Sequence, residues 1–131
     1  MSTGRRSPAR VALTFDDGPD PVWTPLVLEA LAGAGASATF FLIAPRAARY
    51  PSLVARMRES GHDVAFHCGE HARHDTMTSE EIEADVESGL RALGKSARYW
   101  RTPWGLVTPA TGEVAARHHL GLVGWTADTQ D

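Results

Sequence analysis

Short apolar runs alternate with helix-like segments along the whole chain, and this alternation restricts the fold more than any other feature of the sequence. Five runs predict strands, at residues 11–15, 38–43, 64–66, 97–100 and 120–125. Four segments between them predict helices, at residues 24–31, 51–58, 78–93 and 108–119. The run at residues 38–43 is nearly continuous in apolar residues, as expected for a parallel strand covered on both faces, and the run at residues 11–15 also indicates a buried strand. Strands joined through helices predict parallel pairing by right-handed crossovers, in an α/β fold.

Two of the predicted helices carry clear start signals. Thr78 and Glu81 have the spacing of a capping box, in which each residue binds the backbone N–H of the other. Thr108 and Pro109 give an N-cap followed by proline at the first helical position. These signals predict where the third and fourth helices begin.

Polar residues follow four of the predicted strands at their carboxyl ends. In chain order they are Asp16 and Asp17, His67 and His71, Arg101 and Trp104, and Asp128 and Asp131. In α/β barrels and open α/β sheets alike, active sites are built on the loops at this edge. The four clusters therefore predict a single functional site.

The adjacent carboxylates of Asp16 and Asp17 repel each other, so such a pair usually serves a cation, a proton or a reaction. His67 and His71 add two imidazoles four residues apart. Two imidazoles and one carboxylate suit zinc or another borderline divalent ion, with a further position for water. The pattern indicates a hydrolytic metal site. The alternatives are a solvated turn for the aspartates and an exposed helix face for the histidines.

The overall composition narrows the class of protein. The chain has 131 residues, a net charge of -3 and one cysteine, Cys68, so nucleic acid is an unexpected partner and an internal disulfide is excluded. No apolar stretch approaches the roughly 18 residues of a membrane span. Residues 1–10 form a polar arm without the apolar core of a signal peptide, which favours the cytoplasm. Residues 11–131 are predicted to form one domain.

Four ordered motifs resemble the signatures of the polysaccharide deacetylases, carbohydrate esterase family four, also called the NodB homology domain. They lie at residues 14–19 (TFDDGP), 67–71 (HCGEH), 101–104 (RTPW) and 128–131 (DTQD). The resemblance runs from about residue 11 to the last residue. It implies a distorted (β/α) TIM-like barrel, of which about the first five βα units are present. It also implies metal-dependent removal of acetyl groups from N-acetylated sugars of a peptidoglycan or chitin-like glycan.

The resemblance also implies a role for each matching residue. Asp17, His67 and His71 would bind the divalent metal ion, with zinc the expected one. Asp16 would be the general base, Arg101 would hold that base in place, and the backbone N–H of Trp104 would face the oxyanion. Asp128 and Asp131 would form the paired-aspartate signature.

Two residues depart from the family pattern. Cys68 stands where serine or threonine is usual, which replaces a hydroxyl that braces the loop by a weaker thiol donor. Trp104 stands where tyrosine is commoner, which changes the wall of the substrate groove. The family's last signature, which carries a general-acid histidine, would lie beyond residue 131. Since five strands also leave two exposed parallel edges, the domain is expected to be incomplete at its C-terminus.

Three other functions stay open at this point. The same motifs fit hydrolysis of O-acetyl esters on a polysaccharide, and they fit a catalytically incomplete fragment that binds metal or sugar. An aspartate-nucleophile phosphatase needs two aspartates separated by one residue and a downstream lysine. Here the two acids are adjacent, and the only lysine, Lys95, precedes a strand.

Three further residues attract predictions. His74 extends the histidine series, with a supporting or surface role favoured over that of a third ligand. His62 is expected to cap the preceding helix locally. Trp23 lies early enough in the first strand-to-helix connection to stack on a sugar ring.

Overall fold

The computed structural model describes residues 10–94 and 97–130, and these form one parallel sheet with helices. The strands are β1 (Leu13–Asp16), β2 (Ala38–Ile43), β3 (Asp63–Cys68), β4 (Tyr99–Trp100) and β5 (Gly121–Leu122). The helices are α1 (Trp23–Ala34), α2 (Ala44–Arg49), α3 (Pro51–Glu59), α4 (Ser79–Leu93) and α5 (Pro109–Arg117). Two short 3-10 turns lie at His74–Thr76 and Pro103–Gly105. The predicted α/β class is confirmed.

The strands follow one another across the sheet in chain order, β1-β2-β3-β4-β5, and every neighbouring pair is parallel. In an open doubly wound sheet the order reverses at a switch point. Here it does not reverse, so right-handed crossovers place the connecting helices on one face. This is the winding of a (β/α) barrel, and the predicted barrel-like architecture is confirmed.

The main core lies between the sheet and its helices. Phe40 and Leu42 of β2 pair in register with Val64 and Phe66 of β3, and all four side chains are buried. Trp100 of β4 continues this layer beside Phe66, with ring centroids 5.8 Å apart. Burying each such side chain contributes about 2–3 kcal/mol.

Helix α4 packs directly on β3 at a position where it carries a glycine. A Cβ atom at Gly89 would lie 2.1 Å from the Phe66 ring. A helical glycine costs about 1 kcal/mol relative to alanine, and here it allows the ring and the helix backbone to meet. The position of α4 relative to the end of β3 is therefore set by direct backbone-to-ring packing.

The predicted helix starts at α4 and α5 agree with the structure. The side chain of Thr78 accepts a hydrogen bond from Glu81 N–H at 3.2 Å, and Glu81 accepts from Thr78 N–H at 2.9 Å. Thr108 caps α5, with Pro109 as its first residue. Helix α2 was missed at the sequence level because it has six residues and follows β2 without a loop.

The strand boundaries differ from the predicted ones at β1, β3, β4 and β5, and β4 covers only Tyr99–Trp100 of the predicted residues 97–100. The first strand was predicted to be buried, but β1 has exposed ends and Val11 is 84% exposed, because β1 is an edge strand that pairs with β2 alone. Strand β3 is longer than predicted and contains His67. Strand β5 has only two residues, since pairing with β4 ends at Leu122.

Some sequence-level predictions fall on residues outside the described ranges: those for Asp131, for Lys95 and for all of the polar arm except Arg10. Among the helices that are described, none combines the length and the apolar character that crossing a membrane requires.

Candidate metal and catalytic centre

Three side chains converge at the carboxyl edge of the sheet. Asp17 follows β1, His67 lies near the end of β3, and His71 lies in the loop after it. The Nε2 atoms of His67 and His71 are 3.1 Å and 3.5 Å from Asp17 Oδ1. Their potential ligand atoms all lie within 4.8 Å of one another. The strand order brings the ends of β1 and β3 near each other, because both strands pair with β2.

The ring of His67 is oriented by the backbone of the neighbouring strand. Its Nδ1 lies 2.6 Å from the carbonyl oxygen of Arg101. A carbonyl oxygen can only accept, so Nδ1 donates this bond, and Nε2 is the ring nitrogen that lies on the side of Asp17. The indole N–H of Trp100 donates to the His67 carbonyl oxygen at 3.2 Å, which fixes the backbone as well. A buried, oriented imidazole of this kind is typical of metal ligands.

His71 is more exposed and is held mainly by other rings. It makes an edge contact with Trp104, with centroids 4.5 Å apart, and a second with His67 at 5.2 Å. The indole of Trp104 is itself 57% exposed. Trp104, which stands where tyrosine is commoner in the family pattern, therefore supports His71 and also forms part of the open surface beside it.

The chemistry of the three donors fits a divalent ion of the zinc type. Two imidazole nitrogens and one carboxylate oxygen are donors that zinc prefers, and three protein ligands leave room for water or substrate. Asp17 has a φ of 70°, in the left-handed region. Non-glycine residues adopt this region at a cost, and such strain concentrates at functional sites.

A second group of potential ligands, Glu83, Glu87 and His118, fits a cation less well. Both oxygens of Glu83 are already engaged, by His118 Nε2 at 2.6 Å and by the guanidinium of Arg117 at 3.0 Å. A guanidinium so close opposes the binding of another positive charge. This group is better described as an ion-pair cluster between α4 and α5.

Asp16 is held by a buried arginine. Arg101 Nη1 donates to Asp16 Oδ1 at 2.9 Å and to Thr14 Oγ1 at 2.8 Å. Its other nitrogens donate to the carbonyl oxygens of Gly124 at 2.8 Å and Val123 at 3.4 Å. Arg101 is 4% exposed, so one carboxylate oxygen of Asp16 is fixed and the side chain stays beside the Asp17 cluster.

The Arg-x-Pro-aromatic motif forms a strained turn next to the cluster. Trp104 has a φ of 55° inside the 3-10 turn. Gly105 lies against Trp125, since a Cβ atom at Gly105 would be 2.8 Å from that ring. Trp125 also lies 5.5 Å from the Arg101 guanidinium. The loop after β5 thus covers both the turn and the arginine.

Asp128 stands apart from the other predicted site residues. The hydrogen bond that it makes in the described part of the chain is local: its Oδ1 accepts from Gln130 N–H at 2.8 Å, within an exposed loop. The structure therefore brings together Asp16, Asp17, His67, His71, Arg101 and Trp104, and it leaves Asp128 outside their contacts.

The predictions for the other two histidines agree with the structure in part. The backbone N–H of His62 donates to the Met57 carbonyl oxygen at 3.0 Å and so caps the end of α3, as predicted. Its Nδ1 also accepts from Ala38 N–H at 3.1 Å, 24 residues away, which joins it to the start of β2. His74 does not belong to the Asp17 cluster, as predicted, and it has a supporting role rather than a place on the surface. It is 2% exposed, and its Nδ1 bonds to Thr111 Oγ1 at 2.8 Å, which ties the loop after β3 to α5.

Cys68 lies between His67 and His71 in the sequence and is buried, but it does not belong to their cluster. Burial, followed by the charge of Asp85, raises the pKa of its thiol to about 12. The thiol is therefore protonated at neutral pH in the metal-free protein, and its sulfur is not among the potential ligand atoms that lie within 4.8 Å of one another.

We expect His74 to make the stability of the protein depend on pH. Burial lowers the pKa of His74 from 6.5, against a smaller opposing effect of Asp85. The unfolded chain then binds more protons than the folded one below about pH 6.5, so stability falls as the pH falls through that range. Urea unfolding with chelator at pH 7 and pH 5 should show a smaller pH effect in His74→Gln than in the wild type. Equal pH effects would contradict the expectation.

The chain is similar in sequence to proteins of one known family. The family model for polysaccharide deacetylase matches residues 3–123. A chitooligosaccharide deacetylase of Sinorhizobium fredii is 37% identical over 126 residues, covering 92% of this chain and 59% of that protein. A peptidoglycan-N-acetylglucosamine deacetylase of Bacillus cereus is 35% identical, with the same coverage.

A similar solved structure is that of a family 4 carbohydrate esterase from Streptomyces lividans in complex with acetate. It has a TM-score of 0.87 and 31% identity, covering 92% of this chain and 64% of that one. The chain thus spans less than two thirds of the length of these three relatives.

Proposed function

The chain belongs to the polysaccharide deacetylase family, and from this membership and the geometry of the site we propose that it hydrolyses acetyl groups of an N-acetylated glycan with the help of a divalent metal ion. One observation carries the proposal. The carboxylate of Asp16, held by buried Arg101, lies next to a cluster of one carboxylate and two imidazoles. Metal-assisted hydrolysis requires a general base in a fixed position beside a group of metal ligands, and this arrangement fits that requirement.

Asp17, His67 and His71 would hold the ion, and zinc suits these donors best. When bound there, it supplies an acidified water and polarises the acetyl carbonyl. The three residues contribute fixed positions. His67 is oriented by the Arg101 carbonyl, and His71 lies against Trp104.

Asp16 is proposed as the general base. One of its carboxylate oxygens is bound to Arg101, and the other is left to accept a proton from the attacking water. A base in a fixed geometry contributes about 10²–10⁴-fold to such a reaction. Arg101 acts through Asp16 as a positioning residue, since its own nitrogens are directed at Asp16, Thr14 and backbone carbonyls.

The backbone N–H of Trp104 is proposed to stabilise the oxyanion, a contribution of about 3–4 kcal/mol for one well-placed donor. Trp104 has a left-handed backbone conformation, and strained conformations of this kind concentrate at functional sites, which supports a role for its N–H. The exposed rings of Trp104 and Trp23 offer apolar faces against which sugar rings would pack.

We propose that none of the histidines in the described part of the chain is the general acid that protonates the leaving amine. His67 and His71 belong to the metal cluster, and His74 is bonded to Thr111. His62 precedes β3, and His118 and His119 precede β5, which places them at the opposite edge of the sheet. An aryl ester, whose leaving group needs no acid, should therefore be a better substrate for this chain than an N-acetyl sugar.

The glycan is proposed to be of the chitooligosaccharide or peptidoglycan type, because the similar proteins carry these names. The same arrangement of base and metal would also act on O-acetyl esters, so assays should include both kinds of acetylated glycan.

The test joins metal content with acetate release. Purified wild-type chain is expected to bind about one zinc ion, while His67→Ala and Asp17→Ala lose it with unchanged circular dichroism. Acetate release from N-acetylglucosamine oligomers, O-acetylated glycans or an aryl acetate should be zinc-dependent and absent in both variants. Zinc binding without hydrolysis of any of these substrates would instead indicate a fragment that only binds. A wild-type chain that is folded and binds no zinc would overturn the metal site.

A further inference from the structure

We propose that Asp85 on α4 is a positioning residue of the metal site, because its carboxylate clamps the loop that joins His67 to His71; this rests on the proposed metal-binding function. Only three residues separate the two histidines, and His71 lies outside β3. The sheet fixes His67 directly. The direction in which His71 presents its imidazole depends on how this short loop is held.

The clamp consists of two hydrogen bonds from the loop backbone. Gly69 N–H donates to Asp85 Oδ2 at 3.0 Å, and Glu70 N–H donates to Asp85 Oδ1 at 2.8 Å. Both oxygens of one carboxylate thus bind successive amides of the ligand loop. Charge-assisted bonds of this kind are stronger than those between neutral groups. Two of the three residues between the ligands are bound in this way.

Gly69 provides the space for the clamp. A Cβ atom at this position would lie 2.6 Å from Asp85 Oδ1, which is too close for a carboxylate that must also reach the backbone. Any larger residue would push the carboxylate away from the two amides. A second variant therefore breaks the clamp without changing the charge of Asp85.

The clamp is anchored to the core through α4. Asp85 and Gly89 are four residues apart, so they lie on the same face of the helix. Gly89 packs directly on Phe66, the residue before His67. The contact of Gly89 with Phe66 thereby fixes the distance from α4 to β3 next to His67. Through Asp85, the packed core thus also holds the loop that follows β3.

The inference predicts how metal affinity changes. Zinc affinity measured by competition with a chromophoric chelator should fall about 10- to 100-fold in Asp85→Ala and Gly69→Ala, as for other residues that orient metal ligands. Asp85→Asn should lose less, since one carbonyl oxygen remains, and Asp85→Glu should recover part of the loss. Glu80→Gln removes a negative charge from the same helix away from the loop, and it should bind zinc as the wild type does.

Hydrogen exchange provides a readout that does not need the metal. In the metal-free protein, the amides of Gly69 and Glu70 should exchange faster in Asp85→Asn, while amides in β3 keep their protection. Wild-type zinc affinity in both Asp85→Ala and Gly69→Ala would overturn the inference and leave the metal site standing. No zinc binding by the folded wild type would overturn the proposed metal site, and the inference with it.

Discussion

Replacing Asp16 by asparagine is expected to lower the hydrolysis of 4-nitrophenyl acetate by about 10²–10⁴-fold while leaving zinc affinity nearly unchanged. The amide keeps the shape and the bond from Arg101, but it cannot take a proton from water. An aryl ester is the suitable substrate because its leaving group departs without a general acid. The rate is measured at saturating zinc, and the affinity is measured by chelator competition.

Asp63→Asn is the matched control for this experiment. Asp63 is an exposed aspartate at the start of β3, at the edge of the sheet opposite the site. The substitution makes the same change in charge and should leave both the rate and the affinity as in the wild type. If Asp16→Asn kept its activity, Asp16 would not be the base. If it lost zinc as completely as Asp17→Ala, Asp16 would be a ligand instead.

Replacing Arg101 by methionine is expected to destabilise the protein by about 3 kcal/mol and to remove most of the activity. The buried guanidinium binds Asp16, Thr14 and two backbone carbonyls. Breaking a buried ion pair from one side costs about 3–5 kcal/mol, and the lower end applies because the Asp16 side chain is 34% exposed. Urea unfolding gives the stability, and the aryl acetate assay gives the rate.

Two further variants make the Arg101 result specific. Arg101→Lys keeps the charge but lacks the fork that binds several acceptors at once, so it should retain part of the stability and little of the activity. Arg98→Met, three residues earlier and exposed, should change neither. A stable and active Arg101→Met protein would contradict the role of Arg101 in holding the base.

Features of the fold that rest on local interactions were predictable from the sequence. The capping residues Thr78 and Thr108 bind groups within three positions of themselves, so their spacing contains the whole interaction. The extent of β1, β3 and β5 depends on neighbours in the sheet, and no local pattern reveals those. The burial of the first strand was mispredicted for this reason.

The candidate site divides in a similar way. Asp17, His67 and His71 could be grouped in advance because the end of each parallel strand lies at one edge. Asp85 was missed because it binds backbone amides 15 and 16 residues away, and backbone amides leave no mark on the sequence. His74 and Thr111 were missed as a pair because they meet across 37 residues and two elements.

The hydrogen bonds of Arg101 join strands that would be far apart in a flat sheet. Arg101 follows β4, yet it binds Thr14 on β1 and Gly124 beyond β5. In a flat sheet with strands about 4.8 Å apart, β4 and β1 would be about 14 Å apart, farther than an arginine side chain extends. The sheet must therefore curve enough to bring β1 and the segment after β5 within reach of Arg101. The side chain that is proposed to hold the base in place thus also links the first strand to the far edge of the curved sheet.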